Sequence, residues 1–261
     1  MVDACHSTFS PRLWVYTNFD CNLSCSYCCA SSSPRAERRS LSLHAFRQLI
    51  DEAQANDIEE VFLTGGEPFL LPDIGERIRY AAERIQTTVL TNAMLFKGSR
   101  LATVESLSDV PVRFQVSLDG PSAEAHDTIR GAGTWAKAVT GICQLRGLGF
   151  RVSISTTETH ANADVLEQTR AFVASLGVAE EDYFVRPLAK RGFSTSGMEV
   201  TAASLEPEIT VSRDGVFWHP LACEDDLLVT RKVFPFANAL SETHALFHQV
   251  LDAGGLPQRF R

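Results

Sequence analysis

The sequence predicts an α/β protein whose main part is a partial (β/α)6 TIM-like barrel, followed by a small α+β cap. Three observations lead to this fold. Strand-like and helix-like segments alternate six times before residue 190, the polar motifs follow the strands, and a hairpin pattern then replaces the alternation. Strands joined by helical crossovers pack in parallel with the helices outside. We therefore expect a barrel domain over 1–190 and a cap over 191–261.

The six predicted strands are short runs rich in β-branched and aromatic residues. They cover 13–19, 61–68 with its Gly-Gly turn, 87–93, 112–120, 151–158 and 182–188. The segments between them predict helices over 41–54, with Ser40 as N-cap, and over 74–85, 100–107, 135–149 and 164–177. In parallel barrels the chemistry lies at the C-terminal ends of the strands, which is also where the sharpest motifs of this sequence fall.

The tail has a different pattern. Segments 207–213 and 215–221 are strand-like, and the Asp214-Gly215 pair between them favours a tight hairpin. A third strand is expected over 226–232 and a helix over 241–253. Together these elements predict a small cap beside the open side of the barrel.

Composition and charge narrow the class of protein. The chain has a formal net charge of −8 and no basic tract, so a nucleic acid is not expected as a partner. The N-terminus lacks the apolar run of a signal peptide, and no stretch is long and apolar enough to span a membrane. The sequence therefore predicts a cytoplasmic protein without a membrane partner.

Three of the seven cysteines crowd into eight residues after the first predicted strand. Cys21, Cys25 and Cys28 have the spacing C-x3-C-x2-C, which can supply three thiolates to a cubane iron–sulfur cluster and leave its fourth iron open. A zinc site would usually need a second pair of cysteine or histidine ligands, which this sequence lacks. A thioredoxin-like C-x-x-C motif would leave Cys21 unexplained, and buried core cysteines are unusual in a loop.

The cysteine motif, with Tyr27 before its third cysteine, resembles that of the radical S-adenosylmethionine superfamily. It is most similar to the branch that contains peptide-modifying and sulfatase-maturing enzymes, and the resemblance extends over residues 13–190. The resemblance implies one [4Fe–4S] cluster on the three cysteines and S-adenosylmethionine as second cofactor, with Tyr27 against its adenine. It also implies reductive cleavage of that cofactor to methionine and a 5′-deoxyadenosyl radical, which takes a hydrogen atom from a substrate.

Two further segments resemble cofactor-binding motifs of the family. The GGEP segment at 65–68 follows the second strand, and the resemblance implies that it binds the methionine amino group, with the Glu67 carboxylate as acceptor. An ordinary turn is the alternative. The segment 91–93 stands where relatives carry Thr-Asn-Gly, so that Asn92 is expected near the cofactor, while Ala93 departs from the pattern.

The fourth and fifth strands carry polar residues at their ends. Ser117 and Asp119 share one side of the fourth strand, because neighbouring strand residues alternate. The resemblance implies that Ser117 contacts the cofactor together with a residue of the fifth strand, Ser155 in preference to Thr157; polar filling of the barrel is the alternative. The segment 126–131 that follows resembles the HD-x-x-R-G segment of the family, in which Arg130 is expected to hold the methionine carboxylate with its planar fork; an exposed loop arginine is the alternative. The residues predicted to bind S-adenosylmethionine are therefore Tyr27, Gly65, Gly66, Glu67, Asn92, Ser117, Asp119, Arg130 and Ser155.

Four cysteines lie outside the motif, namely Cys5, Cys29, Cys143 and Cys223. Cys29 and Cys143 are expected in or near the core. The tail resembles in outline the SPASM/twitch regions that carry auxiliary clusters in many relatives, but one cysteine cannot anchor a cubane, which predicts a shortened region without a second cluster. Cys223 is a candidate hydrogen-atom donor to a substrate radical, with an inert buried cysteine as the alternative.

The substrate stays open on sequence alone. Modification of a ribosomal peptide comes first, because the branch with similar motifs is rich in it. Rearrangement, dehydrogenation or epimerisation of a small molecule such as a sugar or nucleoside is the alternative. The lack of a leader-binding segment before residue 13 favours either a small molecule or a separate docking partner for a peptide. Activation of a glycyl-radical enzyme, a non-catalytic iron–sulfur electron carrier and a zinc module rank lower. Arg186 and Pro187 are expected to face the substrate, and a flavodoxin-type reductase to donate electrons.

Overall fold

A computed structural model describes residues 11–255 and 257–260 of the chain. Its strands are β1 (Arg12–Tyr16), β2 (Glu60–Thr64), β3 (Gln86–Thr91), β4 (Val112–Ser117), β5 (Arg151–Thr157), β6 (Tyr183–Arg186), β7 (Thr210–Ser212), β8 (Gly215–Phe217) and β9 (Leu228–Thr230). Its α-helices are α1 (Leu43–Ala55), α2 (Ile74–Ala82), α3 (Ser99–Glu105), α4 (Ala123–Arg130), α5 (Thr134–Gly147), α6 (Leu166–Ser175) and α7 (Phe236–Asp252).

All nine strands belong to one sheet, in the order β6-β5-β4-β3-β2-β1-β7-β8-β9. Strands β1 to β6 are parallel and neighbours in sequence order, joined by helical crossovers. A run of six parallel strands with helices between them is the arrangement that the alternating sequence pattern predicts. The predicted fold class, an α/β protein with a partial (β/α)6 barrel, is therefore confirmed.

The two faces of the parallel sheet differ in polarity because its strands alternate. In β4, Val112, Phe114 and Val116 are buried in the main core, while Arg113, Gln115 and Ser117 point to the inner face. The helices cover the outer, apolar face; α1, for example, buries Phe46, Leu49, Ile50 and Ala53, spaced for one helical stripe. The inner face is left polar and lines cavities, which is where a site can form.

The tail continues the sheet. Strand β7 pairs in parallel with β1, so that Trp14 lies opposite Thr210, and β8 and β9 follow antiparallel. The hairpin loop is Arg213-Asp214, one residue earlier than predicted, because Ser212 pairs with Gly215. Helix α7 begins five residues before the predicted start at Ser241. The tail also has a small core of its own around Trp218, Leu227 and Phe247, and the domain division at residue 190 stays a prediction.

Local details correct three expectations. Ser42, not Ser40, caps α1, because only the serine directly before the first helical residue can accept a bond from the Ala45 N–H. The eight-residue helix α4 was not predicted, since its motif resembled a loop. Cys143 is exposed on α5 rather than part of the core, because its neighbour Ile142 faces the sheet instead. None of the described helices is long and apolar enough to cross a bilayer.

Candidate active site

A cavity of about 240 Å³ opens at the C-terminal ends of the parallel strands. The tail contributes to its wall as well. The predicted residues that line it are Cys21, Cys25, Cys28, Tyr27, Gly65, Gly66, Asn92, Ser117, Arg130 and Ser155, together with Arg186 and Pro187. Glu67, Asp119 and Cys223 are not among its lining residues. The structure therefore collects most of the predicted site residues on one surface, and separates three of them from it.

The loop between β1 and α1 brings the three cysteines together. Cys21 and Cys25 are buried beside Leu23, and Cys28 packs against them. The loop is held to its surroundings by backbone bonds, from the Cys21 N–H to the Ser33 carbonyl (3.2 Å) and from the Ser26 N–H to the Ile129 carbonyl (3.2 Å). These bonds fix the positions of the thiols without the help of a ligand.

Each of the three sulfur atoms faces at least one N–H donor. The contacts are Leu23 N–H to Cys21 Sγ at 3.4 Å, Asn92 Nδ2 to Cys21 Sγ at 4.0 Å, Arg130 Nη1 to Cys25 Sγ at 3.9 Å, and Ser32 N–H to Cys28 Sγ at 3.4 Å. Donors of this kind stabilise the negative charge that a thiolate carries as a metal ligand. The donor set therefore fits three thiolates that hold an iron–sulfur cluster.

Burial affects the protonation of these thiols. It raises the pKa of Cys21 to about 12 and also raises the pKa of Cys25, so these thiols are neutral until a metal displaces their protons. In the described residues, no group of three or more His, Cys, Asp or Glu side chains is arranged to hold a single metal ion. A cubane does not require that arrangement, because each of its thiolate ligands binds a different iron.

The two glycines of the GGEP segment allow two backbones to touch. A Cβ atom on Gly65 would lie 2.3 Å from the Asn18 carbonyl oxygen, and one on Gly66 would lie 2.1 Å from that of Asp20. The N–H groups of Gly66 and Glu67 bond to these same two carbonyls, both at 3.0 Å. The glycines thus fasten the end of β2 to the cysteine loop and also face the cavity with bare backbone.

Glu67 points away from the cavity. Its side chain is 1% exposed and accepts three hydrogen bonds, from the Phe69 N–H (3.1 Å), the Thr91 hydroxyl (2.7 Å) and the Asn92 N–H (2.8 Å). Burial raises the pKa of this carboxyl, although the three donors oppose the rise. In the structure the Glu67 oxygens serve protein donors that tie β2 to β3, and the bond from the methionine ammonium to this carboxylate stays a prediction.

Asn92 and Ala93 follow β3 directly. Asn92 donates to the Asn22 side chain at 2.9 Å and lies beside the sulfur of Cys21, so it braces the cysteine loop. Ala93 adopts a φ of 57°, in the left-handed region that favours glycine. Its carbonyl lies where a side chain on Gly141 would be, 2.0 Å from an added Cβ. The departure from Thr-Asn-Gly is therefore accommodated by strained backbone against α5.

Asp119 also faces the protein rather than the cavity. It is fully buried, and it accepts bonds from Tyr27 Oη (2.8 Å), Arg130 Nε (2.5 Å) and the Thr157 N–H (2.9 Å). Its carboxylate orients an arginine and a tyrosine that do line the cavity, and a contact of Asp119 with the cofactor stays a prediction.

Arg130 is largely engaged within the protein. Its Nε donates to Asp119 and its Nη2 to Tyr27 Oη, while its Nη1 faces the sulfur of Cys25. Its guanidinium also lies 5.4 Å from the Tyr27 ring centroid, within cation–π range. The predicted fork for a methionine carboxylate is thus partly occupied, and that role stays a prediction.

The serines of β4 and β5 stand side by side on the inner face. Ser117 pairs in register with Ser155, and both line the cavity. Thr157 lines it two residues further along. The parity argument from the sequence thus placed all three on the correct face, because side chains two residues apart share a face.

Cys223 lies outside the cavity lining, and its thiol contacts the Ser212 hydroxyl. Burial raises the pKa of this thiol well above its usual range, so it is a neutral, packed side chain. The structure thus gives Cys223 no face on the cavity, and its role as hydrogen-atom donor stays a prediction. Cys29, by contrast, does line the cavity, and Cys5 lies outside the described residues.

Several lining residues were not expected from the sequence. Trp14, Gln115 and Glu208 lie on the inner face, and His219 comes from the tail. Burial lowers the pKa of His219 to about 3, and its Nδ1 accepts a bond from the Leu221 N–H at 3.2 Å, so the imidazole is neutral. Strand alternation was a signal for Gln115, which lies two residues before Ser117; His219 had no comparable signal.

Comparisons with known proteins agree with this geometry. The model of the Radical SAM superfamily matches residues 15–171. The chain is 33% identical over 176 residues to mycofactocin maturase MftC of Mycolicibacterium smegmatis, covering 67% of this chain and 44% of that protein. It is 32% identical over 204 residues to AdoMet-dependent heme synthase of Methanosarcina barkeri, covering 76% of this chain and 57% of that protein.

A solved structure has the same fold. The crystal structure of Streptococcus suis SuiB bound to precursor peptide SuiA matches with a TM-score of 0.63 and 22% identity, covering 75% of this chain and 43% of SuiB. The chain thus spans about half the length of the curated relatives that it matches. The family model covers more than half of the chain; it starts within β1 and ends within α6. The chain belongs to the radical SAM superfamily, whose cofactors are a [4Fe–4S] cluster and S-adenosylmethionine.

Proposed function

We propose that the chain is a radical SAM enzyme that removes a hydrogen atom from a ribosomal peptide. In this proposal Cys21, Cys25 and Cys28 hold one cluster, and S-adenosylmethionine lies between the cysteine loop and the ends of β2 to β5. When bound, the cluster supplies the electron that splits S-adenosylmethionine into methionine and a 5′-deoxyadenosyl radical.

One observation carries the proposal. Three thiols from a single loop, each with an N–H donor at its sulfur, face the same cavity as Gly65, Gly66, Ser117 and Ser155. The arrangement supports a cluster with one open iron, next to backbone and hydroxyl groups that can bind an amino acid.

In this proposal the residues of the chain bind the cofactor and orient it. The backbone of Gly65 and Gly66 and the hydroxyls of Ser117 and Ser155 offer polar atoms to the cofactor. Tyr27 offers an aromatic ring whose hydroxyl is held by Asp119, so the ring orientation is fixed before the cofactor arrives. A preorganised wall of this kind helps to keep water away from reactive intermediates.

The cluster claim is tested by metal analysis. Anaerobic reconstitution should give about four irons per chain, as expected for one cubane. Replacing all three motif cysteines with Ala should remove the iron and abolish formation of 5′-deoxyadenosine, while Cys143→Ala, at an exposed position, should change neither. Iron that survives the triple substitution, or about eight irons per chain, would contradict the single-cluster proposal.

The peptide as substrate is supported by the SuiB structure, which holds a precursor peptide in a protein of this fold. The test is to incubate the reconstituted protein, S-adenosylmethionine and a reductant with any short peptide encoded beside its gene. A mass change in the peptide that depends on the cluster cysteines is the expected result. Formation of 5′-deoxyadenosine with the peptide unchanged would reject it as substrate.

A small-molecule substrate is the second candidate. The heme synthase from Methanosarcina barkeri is as similar to this chain as the maturase, so the sequence likeness does not favour peptides by itself. We further propose a flavodoxin-type reductase as electron donor and the cytoplasm as location, where cysteine thiolates stay reduced. Reduction of the cluster by a purified flavodoxin system, followed by its absorbance, tests the first of these.

A further inference from the structure

A second cavity lies on the same inner face of the sheet, towards the N-terminal ends of the strands. We name it the lower chamber; its volume is about 390 Å³. It shares Trp14, Gln115, Arg186, Glu208 and Phe260 with the candidate active site, so the two cavities adjoin. A molecule bound in the lower chamber can therefore extend into the candidate active site.

The lower chamber has more basic than acidic side chains. Its basic residues are Arg12, Arg113, Arg151 and Arg186, and its acidic residues are Glu60, Asp182 and Glu208. Every acid has an arginine partner within the chamber. The pairs are Arg12 with Glu60 (2.9 Å), Arg12 with Glu208 (3.7 Å) and Arg151 with Asp182 (2.8 Å).

These pairs leave over Arg113 and Arg186, and of these two Arg186 has another interaction within the protein. Arg113 is therefore the arginine to consider. It is half-buried on β4, and the described part of the chain gives it no hydrogen bond or ion pair. In register it stands directly opposite Arg151 on β5. Like charges in such a pair repel, and here one carboxylate, Asp182, serves only Arg151. The repulsion would be relieved by an anion bound at Arg113.

The inner face connects this arginine to the active site by a regular ladder. Above the pair Arg113 and Arg151 come Gln115 and Ser153, and then Ser117 and Ser155. Four residues of strand separate Arg113 from Ser117, a distance of about 13 Å at the usual rise. An extended substrate can span that distance with few residues.

We propose that Arg113 binds a carboxylate of the substrate in the lower chamber and so sets the position of the substrate beneath the cofactor. The proposal rests on the proposed function, which supplies the substrate. It implies an acidic group within about four residues of the reacting position. The planar guanidinium suits a carboxylate because it can donate two parallel bonds.

The test measures binding to the reconstituted protein with S-adenosylmethionine, by calorimetry or ligand-detected NMR. Three probe pairs differ only in charge: acetyl-Ala-Ala-Glu-Ala-Ala-amide against its Gln analogue, acetyl-penta-alanine acid against its amide, and glutarate against glutaramide. The charged member of at least one pair should bind about fivefold more tightly, which corresponds to about 1 kcal/mol. The pair that responds identifies a side-chain, chain-end or small-molecule carboxylate.

Variants assign the preference to one residue. Arg113→Gln should abolish it, and Arg113→Lys, which keeps the charge, should retain part of it. Arg213→Gln is the matched control, because Arg213 is an exposed arginine of the hairpin loop outside both cavities. A preference that survives in Arg113→Gln would overturn the proposal.

The wild-type protein alone can also refute the anion site. No difference within any of the three pairs, including no binding at all, would overturn it even if Arg113→Gln failed to fold. Binding requires no turnover, so the two proposals fail separately. Charged probes that bind to a protein unable to form 5′-deoxyadenosine would refute the proposed function and leave the carboxylate site standing.

Discussion

Substitutions at Glu67 can distinguish a structural role of this residue from a role in binding the cofactor. Replacing it with Ala removes the acceptor of the Phe69 N–H, the Asn92 N–H and the Thr91 hydroxyl, all of which are buried. Each orphaned donor costs about 1–3 kcal/mol, and we expect the lower half of the summed range, about 3–6 kcal/mol, because the hydroxyl can rotate. That is a large part of the 5–15 kcal/mol that stabilises a typical domain.

The assay compares the free energy of unfolding with cofactor affinity. Urea unfolding of the cluster-free protein should give the loss above for Glu67→Ala, and about 1–3 kcal/mol for Glu67→Gln, whose amide group meets one N–H donor without an acceptor. Glu105→Ala removes an exposed carboxylate and should stay within about 0.5 kcal/mol of wild type. Calorimetric titration of S-adenosylmethionine into reconstituted Glu67→Gln measures affinity in a variant that folds.

The opposite pattern would refute the reasoning. If the Glu67 carboxylate bound the methionine ammonium directly, Glu67→Ala would lose about 1.5–3 kcal/mol of binding free energy, as for other charged hydrogen bonds. Its unfolding would then differ little from that of wild type. Unchanged stability together with an affinity for S-adenosylmethionine lowered at least tenfold would show that Glu67 binds the cofactor.

Two further predictions concern close packing and pH. Gly66→Ala should prevent cluster incorporation, measured as iron per chain, because its Cβ would lie 2.1 Å from the Asp20 carbonyl; Gly147→Ala, with open space around the new Cβ, should leave the iron content unchanged. Burial lowers the pKa of His126 to about 4 and of His219 to about 3, against 6.5 in ordinary surroundings. As the pH falls below 6.5, the unfolded chain takes up protons that the folded chain does not, so stability should fall by about 1.4 kcal/mol per pH unit for each histidine. The slope of unfolding free energy against pH should be shallower in His219→Asn, and an unchanged slope would show that His219 is not protected from protonation.

The fold was predictable because its signals are local. Each of the six parallel strands is a run of strand-forming residues, and each crossover has its own periodicity, so the element order could be read along the chain. Helix α4 was missed because eight residues give little periodicity, and its histidine, aspartate and arginine resembled a binding loop. The pairing of β7 with β1 had no local signal, since the partners are about 200 residues apart.

The sequence could predict which segments meet at the site, but it could not predict the direction in which each side chain points. Motifs at the ends of parallel strands must meet at one edge, and the structure places most of the predicted residues there. The directions of Glu67 and Asp119 depend on donors supplied by other segments, such as Thr91 and Tyr27. A sequence motif identifies the carboxylate, but it does not identify the donors that form hydrogen bonds with it.

The same two carboxylates explain why acids stand in these motifs although they face away from the cavity. Glu67, after β2, accepts bonds from the end of β3, while Asp119, after β4, accepts bonds from the cysteine loop, α4 and the end of β5. Each acid therefore ties the end of its own strand to other segments of the site, and the segments at the ends of β1 to β5 can keep their spacing before any cofactor binds. Preorganisation of this kind lowers the cost of binding, because the loops lose little freedom when the ligand arrives. Substitutions at the lining serines should consequently change affinity, whereas substitutions at the two acids should change the stability of the site that holds the ligand.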